Sequence, residues 1–187
     1  MPDRDVKTIK DQIFFQYAKI VACSAMHCAN GKEAKKKAYG FVKKTFKDLQ
    51  SGRMSWSDIL REDLQFIDME KACVYCGATG NIQKEHIVPK SLKINERCPS
   101  CDKIQAVHNL IWACGACNAS KNDRGLYAFY KERLAPEPKF YDLLPPLLEK
   151  KYLKTIYHCH ACAGTLDAAD LDGDGVMTVL DLDHILK

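Results

Sequence analysis

The sequence predicts an α+β chain that is mainly helical, built around a small strand–loop–strand–helix core. Two observations carry this. The first 70 residues repeat their apolar side chains at helical spacing, and the middle of the chain holds short strand-like pieces bracketed by cysteine pairs. A third, an acidic glycine-containing stretch near the C-terminus, predicts a loop appendage beyond that core.

In the first helix Val6, Ile9, Ile13, Tyr17, Ile20 and Val21 recur at helical spacing, and in the second Ala34, Ala38, Phe41, Val42, Phe46 and Leu49 do so. Asn30-Gly31 marks the break between them. A third helix starts near Ser55 or Ser57, either of which suits an N-cap, with Ile59, Leu60, Leu64 and Ile67 as its apolar face. Ile82 and Ile87-Val88, then Leu110 to Ala113, read as two short strands, and Asn118 to Tyr130 reads as a helix. A proline-containing connector spans Pro136 to Pro146, and a last helix runs from Leu147 to Tyr157 into Cys159-His-Ala-Cys162. The divisions expected are 1–70, helical and basic; 71–130, the core; and 131–187, the connector, a second cysteine knuckle and the acidic loop.

Hydrophobic residues make up 47% of the 187, enough for a true core. The longest apolar candidate, Ile13 to Met26, is interrupted by Gln16, Lys19 and Ser24, so no membrane span is expected. The N-terminus lacks the apolar region of an export signal, which predicts a cytoplasmic protein. The net charge is +4, but residues 165–187 carry six Asp against one Lys, leaving +9 on the rest. A basic body suits a polyanion, nucleic acid first, although a solvated lysine-rich surface would look the same. Between Lys32 and Arg53 there are eight cations and two acids. Lys35, Lys36, Lys43 and Lys44 are the candidates there for DNA phosphate contacts.

Ten cysteines fall as five close pairs, four of them C-x-x-C. That spacing lets two sulfurs grip one metal ion, and in a reducing compartment zinc is a better reading than disulfides. Cys23 and Cys28 are expected to be buried helix thiols. The other pairs can combine into two four-cysteine sites in three ways, including Cys73/Cys76 with Cys98/Cys101 at a zinc-ribbon-like gap. Near the C-terminus, Asp170, Asp172 and Asp174 alternate ahead of Gly175, with Val176 and Asp181 at the seventh and twelfth positions of a calcium loop. The stretch resembles a single EF-hand or dockerin loop, which implies a structural Ca2+.

Glu85-His86-Ile-Val-Pro, set between the cysteine pairs, is the chemical centre. Neutral imidazole can take a proton from water near pH 7, and a carboxylate supplies a hard oxygen ligand. Adjacent strand residues point to opposite faces, so the two share one site only at a twist or strand end. Cys73-x-x-Cys76-Gly, Glu85-His86-Ile-Val-Pro, Asn109-Leu and Cys114-x-x-Cys117-Asn118-x-x-Lys121 occur in the order found in HNH endonucleases. Over residues 71–125 the chain resembles that family, the ββα-metal superfamily, in an H-N-N version.

The resemblance implies a metal-dependent DNA endonuclease. His86 falls on the general base, Glu85 on the first metal ligand (where Asp is more usual), Asn109 on the middle Asn that fixes the loop, and Asn118 on the third motif position, a metal ligand. Mg2+ or Mn2+ suits one carboxylate and one amide. The resemblance also pairs Cys73/Cys76 with Cys114/Cys117 around one Zn2+, leaving Cys98/Cys101 and Cys159/Cys162 for a second. Duplex DNA is the implied partner, with His108, Lys121 and Arg124 as further contacts. One active site nicks one strand, so a double-strand cut needs a homodimer or two events. The alternatives are a zinc-stabilised nucleic-acid-binding module without catalysis, and a calcium-regulated interaction protein.

Overall fold

The computed structural model describes residues 3–26, 32–55, 59–92, 104, 106–136 and 139–186. It is a mixed α/β fold, mostly helical, with one two-stranded antiparallel sheet among the described residues. The helices are α1 (Ile9–Ala25), α2 (Lys32–Gln50), α3 (Ile59–Asp68), α4 (Gly115–Lys121), α5 (Leu126–Arg133) and α6 (Pro146–Ala163). The strands are β1 (Ile82–His86) and β2 (Leu110–Cys114).

Helix α1 is the central beam. Thr8 and Asp11 form a reciprocal capping box at its start. The next orphan donors are met by the far end of the chain: Ile9 N–H donates to the Ala168 carbonyl and Lys10 N–H to that of Leu166, both at 2.9 Å. Ile13, Tyr17 and Ala18 are buried on α1, and Phe46 of α2 packs edge-on against Phe15. The apolar cluster continues through Ile111 of β2 to Leu153 and Ile156 of α6.

Helix α3 corrects the predicted apolar face. Leu64 and Ile67 are exposed, whereas Phe66 and Glu62 are buried. Ion pairs to α6 fix this rotation: Glu62 meets Lys154, and Asp63 meets Lys151 at 2.8 Å. The predicted helix from Asn118 to Tyr130 is two helices, because Asn122 turns the chain at φ 51°. Gly125 is the N-cap of helix α5, and a Cβ there would stand 2.2 Å from the Asp183 carboxyl carbon. Asp183 accepts from the Ala128 N–H at 2.7 Å, so a carboxylate 55 residues away caps α5. Helix α6 runs past its predicted end, taking Cys159 and Cys162 into its last turns before Gly164 ends it at φ 72°. Cys23 is half-buried and disulfide-bonded, not the buried thiol expected. Its neighbour Cys28, like the Asn30-Gly31 break, lies outside the described residues. No described helix is long and apolar enough to cross a membrane.

Where α1, α5 and α6 meet, Glu149 is buried and accepts from Gln16 Nε2 and the Tyr127 hydroxyl, each at 2.8 Å. Burial pushes its pKa up to about 7 against the pull of those two bonds. With the folded value above the unfolded one, the protonated form is favoured by folding, and this stability is lost as pH rises from about 4.5 through 7. Glu149→Gln keeps an acceptor without the charge. It should be more stable than wild type at pH 8 by on the order of 2 kcal/mol, with the difference shrinking towards zero at about pH 5 in urea melts.

Candidate functional site

The cysteine cluster closes the local frame. Cys73 and Cys76 sit in a turn that Gly77 completes at φ 76°, with Cys73 N–H donating to the Ala78 carbonyl and Gly77 N–H to that of Cys73, both at 2.7 Å. Val74 N–H reaches the Trp112 carbonyl of β2 at 3.0 Å, which lays this turn along the hairpin. Cys114 ends β2 and caps α4 with its sulfur, which accepts from Cys117 N–H at 3.5 Å. The four sulfurs lie within 4.8 Å of one another, and those of Cys76 and Cys114 are 3.8 Å apart. A tetrahedral site with zinc–sulfur bonds of about 2.3 Å needs sulfurs about 3.8 Å apart. The cluster can therefore hold a metal ion such as zinc. Arg133 donates to Cys117 Sγ at 3.6 Å, countering thiolate charge.

Of the second cysteine set, Cys159 is fully buried and Cys162 exposed on α6, and Cys98 and Cys101 lie outside the described residues.

The sheet pairs Glu85 with Ile111 and His86 with Leu110. Glu85 points inward and is 3% exposed, while His86 ends the strand half-buried. The chain then turns at Ile87 to Pro89, so the predicted strand character of Ile87-Val88 is replaced by a buried bend. This strand end lets neighbours on opposite faces share one space. Glu85 and His86 line a single cleft of about 280 Å³ with Lys84, Pro89, Lys90 and Ser91, facing Asn118, Asn122 and Asp123 from α4 and its exit.

Asn109 holds that bend from behind. It is 0% exposed and spends its whole amide there. Its Oδ1 accepts from Val88 N–H at 2.8 Å, and its Nδ2 donates to the carbonyls of Val88 at 2.8 Å and Ile104 at 2.9 Å. Ile87 N–H donates to the Asn109 carbonyl at 2.9 Å. Asn109 thus has the geometry of a positioning residue and does not line the cleft.

Glu85, expected as a hard oxygen ligand, is paired with a cation inside the protein. Lys121, 0% exposed, places Nζ 3.1 Å from Glu85 Oε1 and 3.4 Å from the His86 carbonyl. The Tyr75 hydroxyl faces the same carboxylate, but no contact to either oxygen has hydrogen-bond geometry. Burial raises the Glu85 pKa and Lys121 opposes this. Glu85 and Asn118 thus offer the cleft one carboxylate, already ion-paired with Lys121, and one amide, both oxygen donors of the kind a hard cation takes. His86 shifts the other way: burial, then Lys90 and Lys121, lower its pKa and favour neutral imidazole.

The predicted DNA contacts fare unevenly. Lys121 is buried on Glu85, and His108 is buried at 6% exposure, so neither faces a ligand. Arg124 is spent on Glu132 and on the Ser120 and Lys121 carbonyls. Lys43 binds Asp3 and Asp5, whereas Lys44 is exposed. The side chains of Lys35 and Lys36 lie outside the described residues. Sequence reasoning passed over Lys84 and Lys90, although their closeness to His86 along the chain was a usable signal.

In the acidic loop, Asp170, Asp172 and Asp174 bring carboxylate oxygens within 4.8 Å of one another. The N–H groups of Gly175 and Gly173 hold the Asp170 carboxyl below its ordinary range. Asp181 does not join them. It is buried and accepts from Thr178 N–H at 2.7 Å and Leu171 N–H at 3.1 Å, and Val176 uses its N–H on Asp174.

No protein-family model, no curated protein and no solved structure matches this chain.

Cys76→Ser should lower bound zinc by about one equivalent per chain and reduce the melting temperature, since metal binding at such a cluster adds directly to folding free energy. Elemental analysis beside a thermal melt checks both. Unchanged zinc content would remove the cluster as a metal site.

Proposed function

We propose that this protein is a metal-dependent DNA endonuclease that hydrolyses phosphodiester bonds at the cleft beside His86. The observation that carries the reading is that Glu85, His86 and Asn118, far apart in their side-chain directions by strand and helix geometry, line one cleft. Support comes from Asn109, whose three amide bonds and backbone carbonyl fix the two residues that follow His86.

His86 accepts a proton from a water poised against the phosphorus. The water oxygen bonds to phosphorus as the bond to the 3′-oxygen breaks, and that oxygen takes a proton from solvent. The products are a 5′-phosphate and a 3′-hydroxyl. Neutral imidazole is the competent form, so the lowered pKa of His86 widens the pH range in which the base is available. Glu85 and Asn118 are the residues that would hold Mg2+ or Mn2+, which when bound supplies Lewis-acid neutralisation of charge on the phosphate and leaving oxygen. Lys121 opposes the burial that raises the Glu85 pKa, and so favours the charged carboxylate. Zinc on Cys73, Cys76, Cys114 and Cys117 has a structural part in this reading. So does calcium on Asp170, Asp172 and Asp174.

Supercoiled plasmid incubated with the protein and Mg2+ or Mn2+ tests the proposal. Wild type should give nicked circles, and His86→Ala should cut at least about 100-fold more slowly. Plasmid left intact with both metals rejects the nuclease reading, and plasmid bound but uncut favours a binding module. Equal cutting by His86→Ala removes His86 as the base.

A further inference from the structure

Several of the cations that the sequence offers for DNA, and others besides, are used inside the protein. Lys121 is buried on Glu85, Lys43 binds Asp3 and Asp5, Lys151 and Lys154 meet acids of α3, and Arg124 binds Glu132. Lys84 and Lys90 are different. Both are exposed, both line the cleft, and neither has an ion pair or hydrogen bond among the described residues. They stand on either side of His86 in the chain.

The register of the hairpin adds a direction. Lys84 lies opposite Trp112 and His86 opposite Leu110, so Lys84, His86 and Trp112 share the outer face of the sheet. The Lys84 ammonium stands 5.9 Å from the centre of the Trp112 ring, and that of Lys71 stands 5.4 Å from it. The ring itself packs on Phe66, with centroids 5.1 Å apart, which fixes it as a platform between the two lysines. A positive, partly aromatic strip therefore runs along the outer face of the hairpin and ends at the cleft.

We propose that Lys84 and Lys90 are the phosphate-binding cations of the cleft, flanking the scissile phosphodiester, and that the strand is led there over Lys71 and Trp112. This rests on the nuclease reading and names its substrate-holding residues. Such contacts read backbone charge and carry no sequence information, so binding through them is sequence-independent.

The experiment is fluorescence anisotropy of a labelled duplex oligonucleotide without added divalent ion, across a series of salt concentrations. Wild type, Lys84→Gln/Lys90→Gln and Lys44→Gln are compared, with plasmid nicking run in parallel. Each phosphate contact contributes about 0.9 to the slope of log affinity against log salt. The double variant should lose about 1.8 from that slope and nick more slowly, with melting temperature and zinc content unchanged. Lys44→Gln should keep the wild-type slope. An unchanged slope in the folded double variant, while wild type still nicks plasmid, overturns this assignment and leaves the nuclease reading standing. A slope lost in Lys44→Gln instead moves the phosphate contacts to α2 and also overturns it. If wild type neither binds the duplex nor nicks plasmid, the nuclease reading falls and takes this assignment with it.

Discussion

Four cysteine sulfurs gather where the hairpin meets the helix behind the cleft, in a cluster that could hold a metal ion. Two five-residue strands alone are too small to be stable in water. Cys73 and Cys76 precede β1, Cys114 ends β2 and Cys117 lies in α4, so gathering their sulfurs within 4.8 Å closes the hairpin and the helix into one unit. Asn109 then fastens the far end. With its amide fully used, the bend after His86 has one arrangement, and the strand end where Glu85 and His86 come into one cleft is set. Leaving either of Asn109's backbone partners unsatisfied in that buried position would cost roughly 1–3 kcal/mol.

The acidic C-terminus has a second use that its charge conceals. Asp181 and Asp183 are both buried, one binding N–H groups of its own loop and the other capping α5. Asp183 also accepts from the Tyr152 hydroxyl, and burial pushes its pKa up to about 6. Together with the carbonyls of Leu166 and Ala168 on α1, these contacts dock the stretch from Leu166 to Asp183 on the helix that follows the cleft and on the central beam. The apolar cluster draws on all three stretches of the sequence.

What was legible in the sequence was whatever repeats or keeps a fixed spacing. The C-x-x-C pairs foretold a four-cysteine cluster, and the family resemblance, not the spacing, singled out Cys73, Cys76, Cys114 and Cys117; the periodicity foretold α1 and α2, and the short apolar pieces foretold two strands. Contacts between distant charges have no period. Nothing local says that Glu62 and Asp63 will seek Lys154 and Lys151 and so turn Leu64 and Ile67 outward. Nor does Lys121, set after a cysteine pair in a polar stretch, announce that it will be buried on Glu85. The same blindness affected the cations: net charge counts all of them, while ion pairing decides which remain for a ligand. The break at Asn122 was hidden for another reason, because a positive φ at a non-glycine residue depends on the packing around it.

In the proposed reaction, water activated by His86 displaces the 3′-oxygen of a DNA strand at this cleft. The most direct test is the chemistry of the cut ends, read by treating the nicked plasmid with DNA ligase. Nicks carrying 5′-phosphate and 3′-hydroxyl will be resealed to covalently closed circles, and His86→Ala will yield almost none to reseal. Nicks that ligase cannot close, or resealable nicks made equally by His86→Ala, would contradict the account.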